Sequence, residues 1–167
     1  MSESRIRIPL KLACALVLVL IASGCASVSA PSGPYWEQQV RSAIPPADGD
    51  VQLVSAGSWL PDVQGFEAER AHRPLTRLDE GAFVCTAASA LFLDWVADEN
   101  RYRVGWRLPY TDLARVRVDT YGSNRRLVLT AKDRRVSTFQ LSGTRGAIYD
   151  PAATQQAAAL LRKARKR

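Results

Sequence analysis

The chain has 167 residues, a formal net charge of +7, and 47% hydrophobic against 23% charged residues. This balance predicts a packed globular body and excludes wholesale disorder. Three cysteines, Cys14, Cys25 and Cys85, give no paired spacing from which to build a disulfide framework.

The N-terminus carries Arg5, Arg7 and Lys11, then an uncharged apolar run from Leu12 to Ile21, then Ala22-Ser23-Gly24 before Cys25. A basic start, a short apolar segment and small residues form the layout of a secretory signal. The apolar run is shorter than the roughly 20 residues that a spanning helix needs. Pro9 and Lys11 block its extension on the N-terminal side.

Ile21-Ala22-Ser23-Gly24-Cys25 resembles the lipobox of bacterial lipoproteins, departing from its commonest form in having Ala22 where Leu is usual. The resemblance implies cleavage between Gly24 and Cys25, a diacylglyceryl group on the thiol and a further acyl chain (palmitate) on the new N-terminus. Each buried CH₂ contributes about 0.8 kcal/mol, and stable attachment takes more than one chain, so a multiply acylated terminus would hold. Ala26, where an Asp would retain the protein at the inner membrane, implies the outer membrane, facing the periplasm. An ordinary signal peptide cleaved after Ala26 also fits these residues.

The expected organisation is a signal peptide over 1–24, then the lipidated cysteine and a tether over 25–34. An N-terminal helix and irregular segment follow over 35–77, and a folded domain with a basic tail over 78–167. The tether is small, uncharged and rich in turn formers, Ala26-Ser27-Val28-Ser29-Ala30-Pro31-Ser32-Gly33-Pro34. Processing leaves roughly 140 residues, one domain's worth, which bury about two-thirds of the unfolded surface. It removes two units of net positive charge, since Glu3 leaves with the three cations. It also leaves Cys85 as the single spare thiol, expected to be buried and inert in Phe83-Val84-Cys85-Thr86.

Trp36, Val40, Ala43 and Ile44 recur at i, i+4, i+7 and i+8, predicting a helix that Pro45-Pro46 ends. Val51–Ala56 has the composition of a strand, and residues 57–74 show no regular pattern. Ala82–Thr86 and Ala90–Val96 read as apolar strands around the loop Thr86-Ala87-Ala88-Ser89. Tyr102, Val104 and Trp106 alternate with Arg103, Gly105 and Arg107, predicting a strand with one buried face. Arg115-Val116-Arg117-Val118-Asp119 alternates again. Leu127–Thr130 and Arg135–Leu141 flank the turn Lys132-Asp133-Arg134, with Val136 out of phase with Phe139 and Leu141. Asp150 and Pro151 open a last helix, on which Ala153, Ala157, Leu160, Leu161 and Ala164 form one face. Short strands separated by turn signals predict an antiparallel sandwich or barrel.

A strand meander followed by one amphipathic helix resembles the PH-like and GRAM-like domains. Gly81–Thr86 with Leu91-Phe92-Leu93 resembles their opening hairpin. Leu108-Pro109-Tyr110-Thr111-Asp112-Leu113 resembles their link into the next strand, and Arg126–Thr130 with the turn at Asp133 resembles the hairpin after it. The resemblance covers residues 78–165. It implies a mainly β (α+β) fold, an antiparallel PH-like barrel capped by a C-terminal helix, acting as a non-catalytic platform for lipids, peptides or proteins. Phosphoinositide-binding members place cations at the first hairpin loop, and Thr86-Ala87-Ala88-Ser89 has none.

The expected function is therefore a membrane-anchored binding or scaffolding module, with a protein partner in the cell envelope or self-association. Trp59 and Phe66 are the candidate contact residues, since aromatics anchor interfaces. The alternative is an anionic lipid or envelope-glycan headgroup binder. It would use Arg125, Arg126, Lys132, Arg134 and Arg135 around the later hairpin, together with Arg162, Lys163, Arg165, Lys166 and Arg167 at the C-terminus. Those tail cations also suit the C-terminal end of a helix dipole. Export argues against a nucleic-acid partner.

No catalytic residue, metal site or cofactor is expected. His72 stands alone without ligands at metal spacing. Gly57-Ser58-Trp59 lacks the flanks of a nucleophile elbow. The acid pairs Asp79-Glu80 and Asp98-Glu99 sit in turns and point apart, and Gly143-Thr144-Arg145-Gly146 is read as the connection into the last helix.

Overall fold

A computed structural model describes residues 35–61, 79–121, 124–143 and 150–166. The signal segment, Cys25, the tether, Phe66 and His72 lie outside the described residues. A short helix, α1 (Trp36–Ser42), precedes seven strands: β1 (Leu53–Pro61), β2 (Asp79–Cys85), β3 (Ser89–Val96), β4 (Arg101–Pro109), β5 (Leu113–Tyr121), β6 (Asn124–Ala131) and β7 (Val136–Gly143). A final helix, α2, spans Pro151–Ala164. The strands form one sheet in the order β4-β3-β2-β1-β7-β6-β5, and each paired neighbour is antiparallel. The chain is mainly β, a PH-like architecture closed by a C-terminal helix.

The strand system starts earlier than residue 78. β1, within the segment expected to be mostly irregular, lies at the centre of the sheet, between β2 and β7. Its first half carries a strand pattern, but Gly57, Ser58 and Pro61 break the alternation beyond it. Pairing on both sides, Trp59 opposite Asp79 and opposite Phe139, carries the strand through. The opening hairpin is accordingly β1–β2, and Thr86–Ala88 is the turn between the second and third strands.

The main core lies inside the barrel. Phe83, Phe92, Phe139, Leu127, Leu129 and Leu141 are fully or almost fully buried there, together with Ala153, Ala157, Ala158 and Leu161 of α2. Ring centroids lie 4.8 Å apart for Phe83–Phe139 and 5.9 Å for Phe92–Phe139. The alanines let α2 approach closely, and Leu160 and Ala164 sit at the margin of its packed face. The side chain of Asp150 caps the helix, accepting from the backbone N–H of Ala152 at 2.8 Å and of Ala153 at 3.2 Å, and Pro151 occupies the first turn.

A second apolar cluster lies on the outside of the sheet. Trp36 and Val40 of α1 pack on Val54, Ala82, Val84, Leu91, Leu93 and Tyr102. Strands β2 and β3 are thus covered on both faces, which accounts for their unbroken apolar runs.

β4 departs from the expected single buried face. Tyr102 and Val104 belong to the outer cluster, whereas Trp106 and Leu108 face the barrel interior. The register explains the switch, because Phe92 pairs with Trp106 but Leu93 pairs with Val104, leaving Gly105 as an extra residue. Such a bulge shifts every following side chain to the other face. A Cβ there would overlap the Asp94 carboxylate as it stands, so a side chain at 105 would require Asp94 to swing away.

Candidate functional site: a cavity at the barrel seam and the polar knot beside it

The edge strand β4 stands across from the β6–β7 hairpin, and a cavity of about 290 Å³ opens between them. Trp59, Trp106, Leu108, Leu129 and Ala131 give it apolar walls, and Arg107, Arg135 and Ser137 add polar groups. Trp59, a candidate contact residue for which core packing is the commoner fate, is part-buried against the barrel core. Its ring centroid lies 5.9 Å from Phe92 and 6.3 Å from Trp106. The reason is register: Trp59 sits opposite Phe139, on the inward face of β1. Its buried Nε1–H has no hydrogen-bond acceptor among the described residues, and an unmet buried donor costs about 1–3 kcal/mol.

Arg107 of this lining also belongs to a polar knot. Asp48, in the 3₁₀ turn Pro46–Asp48, is fully buried. Its Oδ1 accepts from Arg107, at 2.9 Å from Nε and 2.8 Å from Nη2, and from the Ser89 hydroxyl. The Asp48 carbonyl accepts from Ala88 N–H at 3.2 Å. Thr86 Oγ1 accepts from the backbone N–H of Ser89 at 3.0 Å and of Ala88 at 3.2 Å, and the Tyr110 hydroxyl donates to the Thr86 carbonyl at 2.9 Å. These bonds tie the segment after α1 to the β2–β3 turn and to the edge strand β4.

Cys85 lies at the same end of the barrel. Burial pushes its thiol up to about 12, against a smaller downward pull from the Tyr110 hydroxyl. Burial likewise raises the Tyr110 hydroxyl. The expected burial of this thiol is met, and such burial disfavours the reactive thiolate.

The five candidate cations do not form one patch. Arg125 and Arg126 sit at the start of β6, opposite Thr120 and Asp119, whereas Lys132, Arg134 and Arg135 follow its end. Lys132 lies six positions beyond Arg126, roughly 20 Å at the usual strand rise. In the turn, Asp133 accepts from the backbone N–H of Arg135 at 3.0 Å and from its Nε at 2.6 Å. Those contacts hold the Asp133 carboxyl below its ordinary range, the backbone hydrogen bond contributing most. Of the tail, Arg162 and Lys163 occupy the last turn of α2, and Arg165 donates to the carbonyl of Ala114 at 2.8 Å. Arg165 thus fastens the helix to β5.

Among the described residues there is no group of three or more His, Cys, Asp or Glu able to hold a metal. No helix among them is long and apolar enough to cross a membrane. Glu99 is engaged by Arg101 in an exposed turn.

No signal in the sequence pointed to Asp48, Ser89, Arg107 and Tyr110 as a group. Asp48 stands 41 residues from Ser89 and 59 from Arg107, and the turn holding it falls in a stretch without periodicity.

No protein-family model and no curated protein matches the chain. Solved structures do resemble it. The C-terminal domain of an unknown protein from Leishmania infantum aligns with a TM-score of 0.51 and 12% identity, over 78% of this chain and 98% of that one. A structure of Vav1 with an allosteric inhibitor gives a TM-score of 0.52 and 9% identity, over 77% of this chain and 31% of that one. The pleckstrin homology domain of USP37 gives a TM-score of 0.43 and 14% identity, over 69% of this chain and 98% of that one. At such identities the first two likenesses show a shared fold alone, and a fold does not assign chemistry.

Proposed function

We propose that this protein is an envelope lipoprotein, cleaved before Cys25 and lipid-anchored there, whose PH-like barrel is a non-catalytic docking module for a protein partner or a second copy of itself. The single observation that carries the docking reading is the barrel, a fold suited to presenting surfaces. The lipobox residues Ile21–Cys25 support the anchor, and Ala26 supports outer-membrane sorting. Because Trp59 lines the interior, the contact falls to Phe66 and to exposed strand faces.

Two measurements test this reading. A palmitate analogue should label the wild type and fail to label Cys25→Ser, and equal labelling of both would end the lipoprotein reading. Cross-linking of the anchored protein in its native cell should return one recurrent envelope protein or the chain itself. Recovery of lipid or glycan alone would replace docking by headgroup binding.

That second reading is supported by the exposed Arg125, Lys132 and Arg134. It predicts salt-sensitive binding to anionic vesicles. The 20 Å separation argues for two weak contacts, not one phosphate clamp.

A further inference from the structure

We propose that the seam cavity between β4 and the β6–β7 hairpin is a binding site for a small aromatic anion, such as an aryl carboxylate. The inference is independent of the docking reading, which concerns the outer surface of the barrel.

The size is right. Engineered apolar cavities of about 150 Å³ take up benzene, and this one, at about 290 Å³, offers roughly twice that volume. Its walls suit a flat ring. Two indoles, Trp59 and Trp106, meet at 47° between their planes, and Leu108, Leu129 and Ala131 supply aliphatic contact. A barrel interior could have filled this corner with one larger side chain, but position 131 is alanine and position 137 is serine.

The polar groups are donors and cations. Ser137 lines the wall, and none of the described lining residues is acidic. Arg107 is committed to Asp48. Arg135 holds Asp133 through its backbone N–H and Nε. Its terminal guanidinium nitrogens carry no hydrogen bond among the described residues. A carboxylate at the mouth would therefore meet Arg135, with its ring laid against the indoles. A neutral ring would gain the stacking without the charge-assisted bonds.

The test is calorimetric titration of the full purified protein with 1-naphthoate and, separately, with 1-naphthylmethanol, a neutral molecule of the same body. Ala131→Leu fills the cavity and serves as the background for adventitious partition. The expected result is saturable naphthoate binding, about tenfold tighter than the alcohol. Ala131→Leu should abolish both signals. Arg135→Gln should weaken naphthoate to the level of the alcohol and leave the alcohol unchanged. Undiminished naphthoate binding by Ala131→Leu would overturn the site. Equal binding of the two probes by the wild type would overturn anion recognition. Arg135 is exposed and outside the core, so its variant reads binding even where Ala131→Leu disturbs folding. Partner cross-linking should be unchanged in either variant, which separates failure of this site from failure of the docking reading.

Discussion

The two halves of the sheet are built from strands of similar length, yet they treat their outer faces in opposite ways. In the β1–β4 half, α1 covers the outside, and Val54, Ala82, Val84, Leu91 and Leu93 are buried there. In β5 the outward residues are Arg115 and Arg117, both exposed, while Val116 and Val118 pack inward. The first half behaves as a three-layer structure and the second as a two-layer one. One seven-residue helix makes that difference, and it does so with two buried side chains, Trp36 and Val40.

The largest test of this contrast is Trp36→Ala. Removing a buried Trp from the outer layer should cost about 3–5 kcal/mol, measured by denaturant unfolding. Amide exchange should accelerate in β2 and β3 and stay unchanged in β5. Equal acceleration in both halves would mean that α1 supports the whole barrel and not one face of it.

The polar knot that holds this layer down gives the next effect. Arg107→Ala leaves the Asp48 carboxylate buried with Ser89 but without its cation, and removing one partner of a buried pair costs about 3–5 kcal/mol. The half-exposed position of Arg107 lets water enter, so the lower end of that range is expected. Asp48→Asn should cost less, since the freed guanidinium can turn to solvent. The reverse order would mean that Asp48 is stabilised mainly by Ser89 and the backbone.

A pH dependence follows from the interior of the same half. The Cys85 thiol ionises at about 12 when folded, against 9.0 for the unperturbed group. The folded state therefore binds this proton more tightly. Its contribution is fully present below pH 9 and is lost as pH rises from 9 towards 12. Tyr102 and Tyr110 shift in the same direction by burial. Unfolding midpoints should fall across that window. Cys85→Ala should flatten the fall without abolishing it, and an unchanged slope would show that the tyrosines dominate.

The smallest effect belongs to the other half. Arg115→Ser or Arg117→Ser should change stability by no more than about 0.5 kcal/mol. Among the described residues Arg117 pairs with a part-exposed Asp119, and such surface pairs contribute little. A loss above 1 kcal/mol would indicate that this face is packed in the functional protein and would sharpen the search for what covers it.

Much of the strand order was legible because local pattern and tertiary role agree. The Arg-Val-Arg-Val run is β5, and the Asp150-Pro151 start opens α2. The knot and the cavity were not legible. Asp48 looks like any acid in a turn, and its significance comes from Ser89 and Arg107, brought to it by chain closure. By sequence Trp59 fits either a surface contact or the core, and the pairing of β7 with β1 turns it inward. The bulge at Gly105 hid in a perfect alternation, because a glycine has no side chain to mark the phase.

What the sequence determined by itself is the set of local elements: the apolar strands and the capped last helix. Periodicity and capping are properties of neighbours along the chain, and they survive without a fold. The tertiary structure alone decided which strand is central, which face of β4 is inside, and that five cations lie in two groups. Those outcomes depend on hydrogen-bond pairing between distant strands, where one inserted residue changes the facing of every side chain after it.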